Sequence, residues 1–383
     1  MEFDLIVIGL GPAGSTAALT AARLGLNVLA LDRADFPRVK TCGGGLSPRV
    51  LRFFETGEIP ALERRITRLR LSLKDKKAFF SFREPIAYMV MRDRFDHALV
   101  TRAEQAGAVI KTGVQVYGIS ESPRGIQVET AYGRFLGKTA LGADGALGVT
   151  ARFLNPGNIE RGMPGIEGEV RGGEMIDRDT IEIEVGAIGG GYGWLFPKKE
   201  GFSMGGAAMT KNRALRKDYK KYAELKGAGI GEGVSETGHP LPLHSNNREF
   251  KRQAGRFMLA GDAARLADPF FGEGIYYAMR SGEMAGIAAA GFINKKISLS
   301  AYEAGIRKEF YFELRAARRL AGIVYRFPGL FFRLASRYPY VLEHYAEVLR
   351  GKRLYRNFIF TFLWTGLRRK LSGGKRSGLF NWG

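Results

Sequence analysis

Glycines spaced for nucleotide binding stand close to the N-terminus. The turn Gly9-Leu-Gly-Pro-Ala-Gly14 follows a short apolar segment, and Asp32 lies further along. Between a strand and a helix, Gly9 would make the tight turn, Gly11 would let backbone N–H groups approach a pyrophosphate, and Gly14 would let helix and strand pack closely. The anion would sit at the helix N-terminus, and Asp32 would accept hydrogen bonds from ribose hydroxyls. The pattern predicts a dinucleotide site without separating NAD from FAD.

Cys42 is the only cysteine, and it stands in the polar, glycine-rich segment from Arg33 to Ser47. Such a segment is typical of a loop that lies over a ligand. There a thiol could donate a proton to a bound substrate. The alternative is a small buried residue without a chemical role. A lone cysteine excludes an intrachain disulfide and metal sites built on clustered thiolates, which predicts a cytoplasmic protein.

Three aromatic residues alternate in the segment Tyr192-Gly-Trp194-Leu-Phe196-Pro197. Alternate side chains of a strand point to one face, so these rings would form an apolar wall. The alternative interpretation is an ordinary core between a sheet and its neighbouring domain, where large aromatic residues usually lie.

The elements that must position these residues follow from hydrophobic periodicity. Strand, glycine turn, helix and strand at the N-terminus form one βαβ unit, and alternation from about residue 162 to 206 predicts antiparallel strands. After Leu299 the pattern is helical, with breaks at Pro328 and Pro339. Further predicted elements are strands at Phe3 to Ile8, Asn27 to Leu31, Val109 to Thr112 and Phe257 to Ala260, hairpins at 66–82 and 113–136, and helices at Ser15 to Leu24, Arg92 to Ala106 and from about Gly274.

A second constellation lies far along the chain: Gly261-Asp262-Ala-Ala264, then Asp268-Pro269, then Gly272-Glu273-Gly274. Here the sequence resembles the flavoprotein group that includes para-hydroxybenzoate hydroxylase and the geranylgeranyl reductases. The resemblance implies that Asp262 bonds a ribityl hydroxyl of FAD. The helix that opens near Gly274 would point its positive end at the isoalloxazine, which favours a reducing flavin.

Shorter motifs support the same group. Arg92-Asp-Arg-Phe95-Asp96 is similar to its Arg-x-x-Phe-Asp helix start, whose arginine lies near the cofactor, and Asp144-Gly145 is similar to the turn that closes its dinucleotide-binding sheet. The resemblance extends from residue 1 to about residue 295, with a variable substrate sheet between.

Three details resemble the geranylgeranyl reductase family within that group. Pro37–Gly44 is similar to its Lys-x-Cys-Gly loop, and Asp268–Gly282 is similar to its flavin-facing helix. Tyr192–Pro197 is similar to its Pro-x-x-Tyr-x-Trp-x-Phe-Pro signature, but Gly189 stands where the leading proline should be. That departure leaves the size of the preferred substrate open.

The resemblance implies an α/β fold with a Rossmann-like FAD-binding domain, an antiparallel-sheet substrate domain and a helical C-terminal region. We expect the FAD-binding domain at 1–70, 91–155 and 251–298, the substrate domain at 71–90 and 156–250, and the basic helical region at 299–383. The residues expected to contact FAD are Gly9, Gly11, Ala13, Gly14, Asp32, Arg33, Cys42, Gly43, Gly44, Arg92, Asp262, Gly272, Gly274 and Ile275. Those expected at the reacting atoms are Cys42, Tyr192 and Trp194, and those expected at the substrate are Tyr192, Trp194 and Phe196.

The implied activity is reduction of C=C bonds in a polyprenyl chain or prenyl lipid by hydride transfer from reduced flavin. The sequence carries one dinucleotide fingerprint, so electrons would come from transiently bound NAD(P)H or from reduced ferredoxin. One alternative is a flavin monooxygenase or halogenase acting on a small aromatic substrate, whose Trp-x-Trp-x-Ile-Pro motif would need Trp at position 192. Another is a dehydrogenase that passes electrons to quinone, which the lack of a cysteine cluster for an iron–sulfur centre disfavours.

A formal charge of +21 indicates an anionic partner. Much of the excess follows Arg307 and is mixed with aromatic residues, which suits peripheral contact with an anionic membrane; a solvated helix face is the alternative. Phe358 to Leu367, the longest apolar candidate span, has about half the twenty residues that a bilayer crossing needs. No nucleic-acid motif is present, and the oligomeric state stays open, a monomer included. The histidines match no metal-ligand spacing, and we assign them no role: His97, His239, His244 and His344.

Overall fold

The structure, a computed structural model, describes residues 2–157, 162–171, 177–210, 212, 214–227, 236–244 and 250–357. The strands in this part of the chain are β1 (Glu2–Ile8), β2 (Val28–Leu31), β3 (Gly45–Leu46), β4 (Leu62–Ile66), β5 (Arg68–Leu73), β6 (Lys76–Ser81), β7 (Ala87–Val90), β8 (Val109–Lys111), β9 (Val116–Ser122), β10 (Gly125–Thr130), β11 (Gly133–Gly142), β12 (Met163–Arg171), β13 (Thr180–Val185), β14 (Gly191–Lys198), β15 (Gly201–Ala208), β16 (Thr237–Leu241), β17 (Gln253–Ala254) and β18 (Phe257–Leu259). The helices are α1 (Pro12–Arg23), α2 (Arg92–Gln105), α3 (Thr150–Leu154), α4 (Leu215–Leu225), α5 (Ile275–Ile293), α6 (Ser300–Ile306), α7 (Phe312–Arg326), α8 (Pro328–Arg337) and α9 (Tyr340–Leu349).

An eight-stranded sheet forms the nucleotide-binding layer, with β1 near its centre. Its order is β17-β18-β11-β1-β2-β8, and β10 and β9 continue from β11 as antiparallel strands. β1 pairs in parallel with β2 and β11, as expected for strands joined by crossover connections. Leu5, Ile6 and Val7 are fully buried, which fits the continuous apolar run of a central parallel strand. The predicted βαβ unit is confirmed.

Glycines allow close packing of helices α1 and α5 at the turn formed by residues 9–14, called the nucleotide turn below. A Cβ at Gly14 would lie 1.8 Å from the carbonyl oxygen of Gly9, so only glycine fits there. A Cβ at Gly282 would lie 2.1 Å from the carbonyl oxygen of Ala13, where α5 passes α1. The two helices are therefore in backbone contact, and α5 begins close to the turn.

A seven-stranded sheet forms the second layer, in the order β16-β12-β15-β14-β13-β5-β6. The sequence predicts antiparallel strands here, and every neighbouring pair is antiparallel except β13 and β5, which run parallel. The prediction for residues 162–206 is confirmed, because β12, β15, β14 and β13 pair antiparallel throughout. β5 comes from earlier in the chain and reaches the sheet through a long connection, which allows its parallel pairing.

Two strands depart from the expected domain boundaries. β5 crosses the boundary placed after residue 70 and belongs entirely to the second sheet. β7, expected in the substrate domain, pairs instead with β3 and β4 in a three-stranded sheet. The division of the chain into three parts otherwise stays a prediction.

The C-terminal helices break at the predicted prolines. α7 ends at Arg326, α8 begins at Pro328, and α9 begins after Pro339, because proline cannot continue a preceding helix. These helices share one apolar core with the second sheet. Among the helices of the described residues, none combines the length and apolar character that a membrane crossing requires. The candidate span at 358–367 and the basic residues after it lie outside the described residues.

We expect Gly282→Ala to destabilise the protein, because the new Cβ would press on the carbonyl oxygen of Ala13. Overpacking of this kind costs about 1–3 kcal/mol. The matched control is Gly322→Ala in the middle of α7, where a Cβ would have no atom within 4 Å; it should stabilise by about 0.5–1 kcal/mol. Denaturant unfolding measures both variants. Equal midpoints would contradict the backbone contact between α1 and α5.

Candidate active site

A cavity of about 610 Å³ holds nearly all of the predicted site. Its wall is formed by the nucleotide turn, the loop that carries Cys42 (residues 33–47, called the thiol loop below), strands of the second sheet, the start of α5, and α9. Gly14 is the one predicted residue not in the wall, because it is buried in α1 against Gly9. The others line the cavity: Gly9, Gly11, Ala13, Asp32, Arg33, Cys42, Gly43, Gly44, Arg92, Tyr192, Trp194, Phe196, Asp262, Gly272, Gly274 and Ile275. Their individual roles stay predictions.

The nucleotide turn is held by backbone sterics and by Asp32. Gly9 has a φ of +98°, and a Cβ there would lie 2.4 Å from the carbonyl oxygen of Ala143. Helix α1 begins without a side-chain cap, so its first N–H groups remain for a ligand. The Asp32 carboxylate accepts hydrogen bonds from the backbone N–H groups of Leu10 (2.7 Å) and Ala34 (2.9 Å). Each of its oxygens keeps a second lone pair that can accept a ribose hydroxyl.

Arg92 is a fixed cation beside the thiol. It donates from Nε and Nη2 to the two carboxylate oxygens of Asp96, at 2.9 and 2.8 Å, and Arg38 joins the same carboxylate at 3.2 Å. Burial on its own would lower the pKa of Arg92, but Asp96 and Cys42 outweigh it and raise that pKa. The paired, buried guanidinium therefore keeps its charge next to Cys42.

The carboxyl group of Asp262 can accept a hydrogen bond from a ligand. Burial raises the pKa of its carboxyl group, and the charges of Lys40 and Arg92 oppose that rise. The carboxyl group makes no hydrogen bond to the described part of the chain, and it lines the cavity. Buried polar groups need partners, so the residues present fit a ligand with hydroxyl groups, as the ribityl chain of FAD has.

The start of helix α5 lies next to Asp262. Gly272 has a φ of +68°, and a Cβ at Gly274 would lie 3.7 Å from Asp262 Oδ1. α5 begins at Ile275 without a side-chain cap, so the first N–H groups of a long helix stand at the cavity wall. A negative charge at such a helix end is stabilised by about 0.3–1 kcal/mol. This end of the cavity therefore suits a ligand whose ring carries negative charge on one edge.

Tyr192, Trp194 and Phe196 present one aromatic face to the cavity, as their alternation predicts. The ring centroids of each neighbouring pair are 6.0 Å apart. Tyr192 donates from its hydroxyl to the carbonyl oxygen of Phe271 at 2.6 Å, and burial raises its pKa. Trp194 Nε1 donates to Ser203 Oγ at 3.4 Å. Because both polar atoms are already bonded, this aromatic wall offers ring surfaces to a ligand.

Lys198 holds the thiol loop in place, and the sequence did not predict it. Its buried Nζ donates to the carbonyl oxygens of Gly43 and Val90, both at 2.8 Å. A Cβ at Gly43 would lie 2.9 Å from Trp194 Nε1, and Gly44 has a φ of +65°. The loop is thus pressed between the lysine and the aromatic wall. A lysine at the end of a strand is usually solvated, so nothing in the sequence marks it as buried.

His239 also lines the cavity, although we assigned the histidines no role. Burial and the charges of Lys40 and Arg92 lower its pKa to about 4, so the imidazole is neutral at pH 7. Its place in the site follows from the pairing of β16 with β12, which no local spacing signals. The described residues hold no group of three or more His, Cys, Asp or Glu able to bind a metal ion.

Comparisons with known proteins agree with the fold. No family model matches the chain. The chain is 31% identical over 326 residues to the geranylgeranyl diphosphate reductase of Rhodobacter capsulatus, covering 81% of each protein. It is 30% identical over 386 residues to a digeranylgeranylglycerophospholipid reductase of Methanopyrus kandleri, covering 91% of this chain and 97% of that one. A solved geranylgeranyl bacteriochlorophyll reductase-like structure from Thermoplasma acidophilum matches with a TM-score of 0.73 at 22% identity, over 85% of this chain and 88% of that one.

The fold and the relatives together define an FAD-dependent oxidoreductase with the architecture of para-hydroxybenzoate hydroxylase. The chain belongs to the geranylgeranyl reductase family, because its likeness to two reductases of that family reaches 30% identity or more over most of its length. The resemblance drawn from the motifs is confirmed in fold, family and enzyme class.

We expect Lys198→Met to loosen the thiol loop. Loss of the ammonium group leaves two buried carbonyl oxygens unsatisfied, which costs about 1–3 kcal/mol. Because Cys42 is the only cysteine, its rate of reaction with a thiol reagent reports on this loop alone, and that rate should rise. Lys199→Met, at the neighbouring exposed position, is the control and should label like wild type. Identical labelling of all three proteins would show that Lys198 does not hold the loop.

Proposed function

We propose that the protein saturates isolated C=C bonds of a polyprenyl chain or prenyl lipid. The observation that carries this proposal is the continuity of the cavity, which runs from the nucleotide turn to an apolar end. The names of both relatives above specify geranylgeranyl substrates. The apolar lining comes from the second sheet and its surroundings and from α9: Leu69, Leu71, Phe82, Ile86, Met89, Ile181, Ile183, Leu342, Tyr345, Ala346 and Leu349.

The polar end of the cavity would hold FAD. Gly9 and Gly11 would leave room for the pyrophosphate, Asp32 would accept a ribose hydroxyl, and Asp262 would accept a ribityl hydroxyl. Bound and reduced, FAD would supply a hydride to one carbon of the alkene. The external electrons would come from transiently bound NAD(P)H or from reduced ferredoxin, and reduction assays with each donor would separate the two.

The apolar end would hold the hydrocarbon chain. Each buried CH₂ group favours binding by about 0.8 kcal/mol. The aromatic wall would provide a flat surface along one side of the chain. A Cβ at Gly43 would lie 2.9 Å from ring atoms of both Trp194 and Phe196, so the thiol loop packs closely against the wall. A chain that lies along the wall would therefore pass the residue next to Gly43, which is Cys42.

Cys42 would donate the proton that completes each reduction. Its half-buried thiol lines the cavity. When the S–H bond breaks and a C–H bond forms, the thiolate left behind is stabilised by the cationic Arg92 beside it. One hydride and one proton per double bond balance the reaction.

We expect the reduced, FAD-loaded protein to be oxidised by a geranylgeranyl lipid in the absence of oxygen, with the lipid gaining mass in steps of two hydrogens. Cys42→Ser should slow this step about a hundredfold, because a hydroxyl is a far weaker acid than a thiol. Stopped-flow flavin absorbance and mass spectrometry measure both results. Flavin that stays reduced until oxygen enters would overturn the proposal and favour an oxygen-using enzyme.

We also propose that helices α7 and α8 contact an anionic membrane surface. Between Glu313 and Glu343 the sequence has six arginines and no acidic residue. The buried side of α7 packs against the aromatic wall, where the ring of Tyr325 stacks on Tyr192 with centroids 6.2 Å apart. The opposite side of the helix faces solvent. A surface that is both cationic and apolar suits lipid headgroups of negative charge. The exposed apolar side chains there, with exposed fractions of 41% to 60%, are Phe312, Ile323, Phe327 and Leu330.

Ile323→Glu combined with Phe327→Glu should reduce binding to vesicles that contain anionic phosphatidylglycerol by at least about tenfold, because it removes apolar contact and adds repulsion. The matched control is Phe79→Glu combined with Tyr132→Glu, two aromatic residues exposed by 70% and 75% outside these helices. The control carries the same change of charge and should bind like wild type. Co-sedimentation measures binding, and an equal loss in both variants would contradict a membrane face on α7 and α8.

A further inference from the structure

A buried carboxyl group lies beside the aromatic wall, on the same face of the second sheet. Glu167 of β12 is 7% exposed and lines the cavity. Its Oε1 accepts a hydrogen bond from Ser203 Oγ at 3.0 Å, and Ser203 Oγ accepts one from Trp194 Nε1 at 3.4 Å. Its Oε2 is buried without a hydrogen-bond partner among the described residues. Ser203 therefore holds one carboxyl oxygen of Glu167, and the other oxygen has no hydrogen-bond partner among the described residues.

Glu167 carries a proton over part of the neutral pH range. Burial raises its pKa to about 7, and the hydrogen bond from Ser203 and the charge of Lys198 oppose the rise. Below that pH the group is a neutral acid that can donate, and above it the proton is lost. The groups that act on it from the surrounding elements are Lys198 of β14, Ser203 of β15, Arg92 of α2, Glu169 of β12 and Tyr219 of α4.

Two charged side chains near Glu167 face solvent and the thiol loop respectively, Glu169 and Lys198. Glu169 lies two residues along β12, so it shares the same face of the strand, and its side chain is exposed. The charges of Glu167, Glu169 and Cys42 act to raise the pKa of Lys198, against the effect of its burial. Lys198 also donates a hydrogen bond to the carbonyl oxygen of Gly43. Glu167 and Cys42 thus line the same cavity, and both lie close enough to Lys198 to act on its charge.

The proposed reaction consumes one proton inside the cavity for each double bond that is reduced. Cys42 loses a proton for every double bond that is saturated, and it must regain one before the next. With the cofactor and an apolar chain in the cavity, little water can reach the thiolate. An internal acid is the remaining source.

We propose that Glu167 returns a proton to Cys42 between successive reductions, and that Glu169 refills Glu167 from solvent. The O–H bond of Glu167 breaks, the S–H bond of Cys42 forms, and the Glu167 carboxylate then takes up a solvent proton. The electrons come only from the hydride of reduced FAD. This inference rests on the proposed function, because it gives the acid its task in that reaction.

Glu167→Gln tests the proposal, since the amide oxygen can still accept the bond from Ser203 but the group has no acidic proton. The first anaerobic turnover draws on Cys42 already protonated and should stay within about twofold of wild type. Steady-state reduction of a geranylgeranyl lipid, with dithionite as electron donor, should fall at least about tenfold. The wild-type steady-state rate should decline as pH rises above about 7, where Glu167 loses its proton, and the variant should lack this decline.

Ser203→Ala is the matched control. It removes the hydrogen bond to Oε1 and keeps the acid, so it should retain a decline of steady-state rate with rising pH. An unchanged steady-state rate and pH profile in Glu167→Gln would overturn the proposal. A first turnover that falls as much as the steady-state rate would also overturn it, because Glu167 would then only position the aromatic wall.

Infrared difference spectra of wild type against Glu167→Gln give a readout independent of turnover. Wild type should show the C=O stretch of a protonated carboxyl group, which should vanish as pH rises through about 7. If that band is absent at low pH, the inference fails whatever the activity. If the band is present but wild type does not oxidise its flavin with the lipid, the proposed function fails, and with it this use of the acid.

Discussion

One buried ammonium group joins the two halves of the site. Lys198 ends a strand of the second sheet, and it bonds the carbonyl oxygens of Gly43 and Val90 at 2.8 Å each. Because all three groups lie away from water, neither oxygen has solvent as a substitute for the lysine. This contact fixes the thiol loop between the nucleotide turn and the aromatic wall. The position of Cys42, and every role proposed for it, depends on that contact.

Several charged side chains of the site lie together on the side of the nucleotide turn. Arg92 and Lys40 stand with Asp262 near the nucleotide turn, where a pyrophosphate and ribityl hydroxyls can satisfy them. The lining contributed by the second sheet and α9 is mostly aromatic and aliphatic. A cavity with these two ends suits a polar cofactor and an apolar substrate that meet at one point. The buried acid of Glu167 lines the same cavity, where it is largely shielded from bulk water.

The sequence predicted those parts of the site that depend on local backbone constraints. Gly9 and Gly14 were recognisable because a Cβ at either position would collide with the backbone, and the rings of β14 share a face because strands alternate. Lys198, Glu167 and His239 were missed, since each owes its role to partners that lie far away in sequence. The parallel pairing of β5 with β13 was missed for the same reason. Local patterns signal turns and faces, whereas burial of a polar side chain is decided only when distant strands come together.

An experimental structure with FAD and a geranylgeranyl lipid bound would test the central claim most directly. We predict that the hydrocarbon chain lies along Tyr192, Trp194 and Phe196 with its far end at α9, and that an alkene carbon contacts the sulfur of Cys42. The ribityl chain should contact Asp262. A lipid bound outside the cavity, or a chain that leaves Cys42 out of reach of every double bond, would contradict the proposed reductase and the part that Cys42 plays in it.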